Sequence, residues 1–294
     1  MKLPDIRERS LTTRIVRSKA GLNYTIFISA PAGPAPHGGF PVFYVLDANA
    51  WFGLAAETAR LNELESGPSI VVGVGYPVRT LYDGPRRNFD FTLGPPLRPQ
   101  PGTAGAKFGG ADAFLDFLRH DLRDEIATSY PIDRHRQSLF GHSLGGYFVL
   151  HALLTAPDAF ATYVAASPAI WWDDSKLKDE EKAFAVKSRS GGQPDVLVTV
   201  GGLEQELGAA DTALITKLYA VNPAAFEGAT LEQALAHLRE SQAKDRMIDN
   251  AREMASRLKA AGVNASFVVF EGENHRTEVS SALARALPLA LKER

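Results

Sequence analysis

The sequence contains no cysteine. Disulfides, thiolate nucleophiles and cysteine-ligated metals are therefore excluded, and any covalent chemistry falls to Ser, Thr, His, Asp, Glu or Lys. An excess of charge of one sign is also lacking. Thirty-two basic residues against 34 acidic ones leave a net charge of −2, and no block of five like charges occurs, so neither nucleic acid nor a membrane surface is expected as a partner. No stretch of about 18 apolar residues appears, and the opening MKLPDIRERSLTTRIVRS lacks the apolar segment of a secretion signal, so a cytoplasmic location is expected. Internal repeats are absent too. What is present is ample core material, 45% hydrophobic residues in 294, and one domain over 1–294 is expected, interrupted by a helical excursion at about 204–246. Nothing in the composition calls for a cofactor or a metal. The partner expected is a small molecule, and the chain is expected to be a monomer or a homodimer.

Short apolar runs alternate with helical patterns, which predicts an α/β fold: a mostly parallel central sheet flanked by helices on both faces. Strands are expected at Thr12–Val16, Tyr24–Ile28, Phe40–Leu46, Ser69–Val74, Gln137–Phe140, Ala161–Ala165, Asp195–Val200 and Ala265–Phe270, the first two as half-exposed edge strands. Helical patterns cover about Asn49–Glu65, Ala111–Ser129, Leu144–Ala156, Asp211–Tyr219, Leu231–His237, Met247–Ala261 and Glu278–Ala290. Leu93–Gly110, rich in proline and glycine, reads as a long surface loop. Either this loop or the helical excursion is in a position to cover a site.

The chemistry gathers around Phe140-Gly141-His142-Ser143-Leu144-Gly145-Gly146, which joins an apolar strand to an apolar helix. A G-x-S-x-G pentapeptide in that context makes a tight, strained turn that lifts the serine hydroxyl clear of the sheet, so Ser143 is the candidate nucleophile. The amide of Leu144, at the start of the helix, is a candidate oxyanion donor. A serine hydroxyl needs a base. Of seven histidines, only His275 follows the last strand, at the carboxyl end of the sheet, and chain order in this architecture is nucleophile, acid, histidine. His142 is expected to point away from the substrate side. The acid belongs in the turn after Val196–Val200, with Glu204 first and Glu206 second; a Ser–His pair without a strong acid is the remaining option. A second oxyanion amide is expected from Ala48 or Asn49, in the turn that Asp47 fixes after the third strand.

With these residues in hand, the chain resembles the α/β-hydrolase esterases that include esterase D, feruloyl esterases and trilactone siderophore esterases, and most of all the siderophore branch. The likeness runs through YVLDANAWF, RRNFDFT (86–92), GHSLGGYFVLHALL, SPAIWWDD (167–174), GGLEQE and GENH ending at His275, almost the whole chain in order. Ala48 stands where that branch has a glycine, and Leu93 where it has a proline. The resemblance implies an α/β-hydrolase fold and a cofactor-independent serine esterase working through an acyl-enzyme on a siderophore trilactone or a related small ester. It also implies that Arg87 and the Trp171-Trp172 pair approach the substrate, and Asn49 joins them as a candidate contact. The competing reading for Arg87 is an ion pair with Asp90, and for one tryptophan it is core packing. Two rival functions remain: an acyltransferase using the same acyl-enzyme, and a non-catalytic binding protein on the same fold.

Overall fold

The computed structural model describes residues 9–292, apart from 99, 101–102, 187–192 and 227. These residues form one sheet of β1 (Arg9–Arg17), β2 (Asn23–Pro31), β3 (Phe40–Leu46), β4 (Ile70–Gly75), β5 (Ile132–His142), β6 (Thr162–Ala166), β7 (Asp195–Gly201) and β8 (Asn264–Phe270). The spatial order is β1-β2-β4-β3-β5-β6-β7-β8. β1 and β2 pair antiparallel, β2 pairs antiparallel with β4, and every later pairing is parallel.

The reason is legible in β3. Its side chains are apolar without a break because both faces are covered: Val42, Tyr44 and Leu46 enter one core, and Phe43 and Val45 the other. Each such side chain, fully buried, contributes about 1.5–3 kcal/mol. Helices α1 (Ala48–Leu61) and α11 (Glu278–Leu291) close one face through Ala55, Ala59, Leu283 and Leu287. After the short α2 (Glu63–Ser66) and α3 (Gly84–Asp90), the other face is covered by three helical stretches. They are α4 (Ala111–Asp116) and α5 (Arg123–Ser129), joined by a π-helical turn; α6 (Leu144–Thr155); and, beyond α7 (Asp174–Val186), α8 (Ala209–Val221) and α9 (Leu231–Asp245), helix α10 (Met247–Ala260). α6 is buried all round, as a helix apolar on every side must be.

Three expectations need correction. β2 is an interior strand: Tyr24, Ile26 and Ile28 enter the core while Phe27 meets Phe52 of α1 on the other face. Only β1 is an edge. α9 runs to Asp245 rather than His237, and α3 and α7 occupy stretches where no helical pattern is read. α3 begins at an Asp83 side chain that caps the Arg86 amide, with Pro85 in the first turn. Among the described residues no helix is long and apolar enough to cross a membrane.

α3 is anchored through Arg86 and Asp90, whose ion pair at 3.2 Å packs under the rings of Tyr24 and Tyr76. Burial pushes the Asp90 carboxyl up to about 6, against the opposing pull of Arg86. A raised carboxyl pKa means the native state binds the proton more tightly than the unfolded chain. The stability it contributes is present below the ordinary carboxyl range and lost as pH rises through 6. Urea unfolding is expected to show this group costing about 2–3 kcal/mol between pH 4 and pH 7.5, and Asp90→Asn is expected to remove that part of the slope.

Candidate active site

β5 runs into α6 through Ser143, whose backbone sits at φ 60°, ψ −118°. A non-glycine residue in that region is strained and is held by its surroundings. Ser143 donates its amide to Ala166 O at 3.0 Å, and its carbonyl accepts from Tyr147 and Ala169. The turn depends on two glycines. A Cβ on Gly141 would lie 2.2 Å from Gly145 O, and one on Gly146 would lie 2.9 Å from Ala166 O. At Gly145, by contrast, a Cβ would meet nothing closer than 3.7 Å. The leading amides of α6, that of Leu144 first, have no acceptor within the helix.

His275 follows β8 and Glu204 follows β7. The two exits are laced together by Gly202 N–H to Phe270 O at 2.9 Å and Leu203 N–H to Glu273 O at 3.0 Å. The lacing brings His275 Nδ1 to 2.6 Å from Glu204 Oε2. A carboxylate only accepts, so Nδ1 carries the hydrogen and Nε2 is left as the basic nitrogen. Glu204 Oε1 accepts two further bonds, from Gly201 N–H at 2.6 Å and Ser167 Oγ at 2.5 Å. Glu204 is buried, whereas Glu206 is exposed. Ser143, Glu204 and His275 line one cavity of about 310 Å³.

His142 is not among the residues that line this cavity. Its ring packs against that of His275, centroids 4.4 Å apart, and meets the edge of Trp51. Burial holds its pKa well below the usual histidine value, with His275 and Arg87 adding to the effect, so a neutral ring supports the His275 imidazole.

The turn after β3 carries the other candidate amides. Asp47 adopts the left-handed conformation (φ 51°, ψ 43°) and is followed by Ala48, the first residue of α1. The Cβ of Ala48 is accommodated because Gly73 faces it on β4: a Cβ there would come within 2.7 Å of it. Asn49, a candidate substrate contact, does not line the cavity. Its Nδ2 donates to Tyr76 O at 3.0 Å and Val78 O at 3.2 Å, and its Oδ1 accepts from Tyr76 N–H at 2.8 Å, so the whole amide is spent tying the two turns together.

Arg87 does not form the expected ion pair with Asp90, and it is not among the residues that line the cavity. Asp90 belongs to Arg86; the Nε of Arg87 donates to Asp47 Oδ1 at 2.8 Å, and its guanidinium lies over the rings of Tyr82 and Phe91. Asp47 is buried, burial raises its pKa, and its Oδ2 has no hydrogen-bond partner among the described residues. Removing the cation would leave this carboxylate stranded. Arg87→Met is therefore expected to lower unfolding stability by about 3 kcal/mol, and Asp47→Asn in the same chain to recover part of it; denaturant titration of the single and double variants checks both.

The tryptophan pair divides. Trp172 is 4% exposed, donates Nε1–H to Gly94 O at 3.1 Å and packs on Phe108, so it is a core residue and does not line the cavity. Trp171 lines the cavity. The helical excursion supplies much of the remaining wall, with Asp211 and Leu214 of α8 and Gln242 and Asp245 of α9. The loop at 93–110 reaches it through Arg98, which bonds Asp245 and lies 5.9 Å over the Trp171 ring. The sequence offers no signal for these wall residues, since none lies in a motif. Among the described residues no cluster of three His, Asp or Glu is arranged to hold a metal.

This strand order, with a serine at the turn from strand to buried helix, is the α/β-hydrolase fold. The family model described as "Putative esterase" matches residues 18–290, and the chain belongs to that family of carboxylic ester hydrolases. It is 36% identical to the ferri-bacillibactin esterase of Bacillus subtilis, over 91% of this chain and 84% of that protein. It is 33% identical to the siderophore triacetylfusarinine C esterase of Aspergillus fumigatus, over 87% of this chain and 83% of that one. Among solved structures it is similar to the siderophore hydrolase EstA of Aspergillus nidulans, with TM-score 0.80 and 28% identity over 96% of this chain and 94% of that one.

Proposed function

We propose that this protein hydrolyses the ester bonds of a siderophore trilactone through an acyl-enzyme on Ser143. His275 Nε2 takes the hydroxyl proton as Ser143 Oγ bonds to the ester carbonyl carbon. The amides of Leu144 and Ala48 stabilise the oxyanion, and Glu204, bonded to Nδ1, holds the ring and stabilises the imidazolium. Collapse breaks the bond between carbonyl carbon and ester oxygen, and the departing alkoxide takes the proton from Nε2. Water then repeats the sequence on the acyl-enzyme, giving up a proton to His275 and releasing the carboxylic acid and free Ser143. The observation that carries the reading is the 2.6 Å bond from His275 to Glu204 on the cavity that Ser143 also lines. The substrate class is supported by two relatives of more than 30% identity, both named for siderophore esters, and by the indole of Trp171 in the wall, a surface on which an aromatic or cationic group stacks.

The test is a panel of p-nitrophenyl acetate and butyrate, a feruloyl ester and a ferric trilactone siderophore. The expected result is a kcat/KM for the trilactone at least about 100-fold above that for the small esters, as expected where remote binding energy is used in the transition state. Slow cleavage of the p-nitrophenyl esters alone would remove the siderophore assignment and leave ester hydrolysis standing.

A further inference from the structure

Glu278 opens α11 behind the Glu204–His275 pair and has no part in the steps above. Its side chain is wholly buried and forms no ion pair among the described residues. The Thr199 hydroxyl donates to Oε1, while Oε2 is buried with no hydrogen-bond partner among the described residues. Four groups from the packed elements act on it: Thr199 of β7, Glu204 after β7, Ser167 after β6 and His275 after β8. An ionised carboxylate here would be stripped of water, would carry one oxygen with no donor, and would face the negative charge of Glu204 close by. A proton on Oε2 relieves all three. Ser167 Oγ has committed its own hydrogen to Glu204 Oε1 and keeps lone pairs free to accept one.

We propose that Glu278 is a protonated second acid and a positioning residue, donating to Ser167 so that the Ser167 hydroxyl is held on Glu204 and Glu204 on His275. The inference rests on the catalytic reading of Ser143, Glu204 and His275. Burial, with the charge of Glu204 adding, pushes the Glu278 carboxyl up to about 7, in keeping with a proton retained where other glutamates have lost theirs. The hydrogens then run in one direction, from Glu278 to Ser167 to Glu204, with His275 donating to the same carboxylate from the other side. An amide at position 278 retains that donor; an alkyl group does not.

Two measurements on the full chain test this. In the first, glutamate carboxyl carbons labelled with ¹³C are titrated by NMR. One carboxyl is expected to titrate near 7, well above the remainder, and to disappear in Glu278→Gln. Titration of every glutamate below about pH 6, or a late resonance that survives Glu278→Gln, overturns the proposal. In the second, Glu278→Leu is expected to lower kcat for p-nitrophenyl butyrate about tenfold at unchanged KM, and Glu278→Gln to restore most of that loss, the size of one hydrogen bond in a buried chain. A Gln variant as slow as the Leu variant, or a Leu variant with wild-type kcat, overturns it. The NMR arm decides the proton even where the Leu variant fails to fold. It also needs no turnover, so an inactive wild-type protein would defeat the catalytic reading while the protonation of Glu278 was still decided.

Discussion

Ser143→Ala is expected to lower kcat/KM for an activated ester by roughly 10⁵-fold while leaving the unfolding transition in place. The magnitude follows from what the substitution removes. The Leu144 and Ala48 amides, the Trp171 wall and the His275–Glu204 pair all remain, so binding and oxyanion stabilisation persist, but no oxygen is left to form the acyl-enzyme. His275→Ala is expected to cost nearly as much, and the double variant little more than either alone, because the two groups act in one proton transfer and their effects do not add. A fluorophosphonate provides an independent check. Mass spectrometry is expected to show one adduct per chain in the wild type, none in Ser143→Ala and slow labelling in His275→Ala. An alanine variant retaining a hundredth of the activity would mean that hydrolysis takes place at another residue.

The residues proposed to carry the chemistry could be picked out because each sits in a local pattern that geometry must honour. Gly141 and Gly146 beside Ser143 are required because a Cβ would come within 2.2 Å of Gly145 O at the first and within 2.9 Å of Ala166 O at the second, so glycines around a serine between strand and helix announce the turn. Chain order then pointed to His275 and the strand exit to Glu204, and the lacing of the β7 and β8 exits brings them together. The strands were legible for a similar reason, since a strand covered on both faces has to read as an unbroken apolar run. α3 carried a usable signal, a capping Asp83 followed by Pro85, which the seven-residue length of the helix obscured. In α7 the buried Leu177 and Phe184 stand seven apart among charged residues, and two points do not define a period.

What stayed hidden was the choice between neighbours. Arg86 and Arg87 are adjacent on one helix, about 100° apart around its axis, so one meets Asp90 and the other Asp47, and nothing in the letters RR says which. Trp171 and Trp172 likewise divide between cavity and core. Asn49 looked available for substrate because its three acceptors and donors come from a turn 27–29 residues away. In the sequence Glu278 is one acid in a first helical turn, a place where the macrodipole favours charge. Only its complete burial beside Glu204 separates it from that ordinary role.

Glu204→Gln is expected to lower kcat by roughly 10³–10⁴-fold with KM changed by no more than about threefold, a loss in the transition state and not in binding. Glu204 accepts from three donors at once: Gly201 N–H, Ser167 Oγ–H and His275 Nδ1–H. A glutamine offers one oxygen and one NH₂ group. With the oxygen kept on Gly201 and Ser167, the NH₂ points at Nδ1, which must then accept; the ring hydrogen moves to Nε2, where the base has to be free. With the amide turned over, the NH₂ opposes Gly201 N–H, and a buried donor is left without an acceptor. In either case the imidazolium formed as Ser143 attacks loses its counter-charge. Glu204→Asp keeps the charge but draws it back by one methylene from a contact of 2.6 Å, and a smaller loss, about 10–100-fold, is expected. The measurement is steady-state kcat and KM for p-nitrophenyl butyrate with the three chains, beside the rate of fluorophosphonate labelling, which is expected to slow in the same order. A glutamine variant within about threefold of wild type would mean that Ser143 and His275 work without this acid, the ring being oriented by His142 against its face.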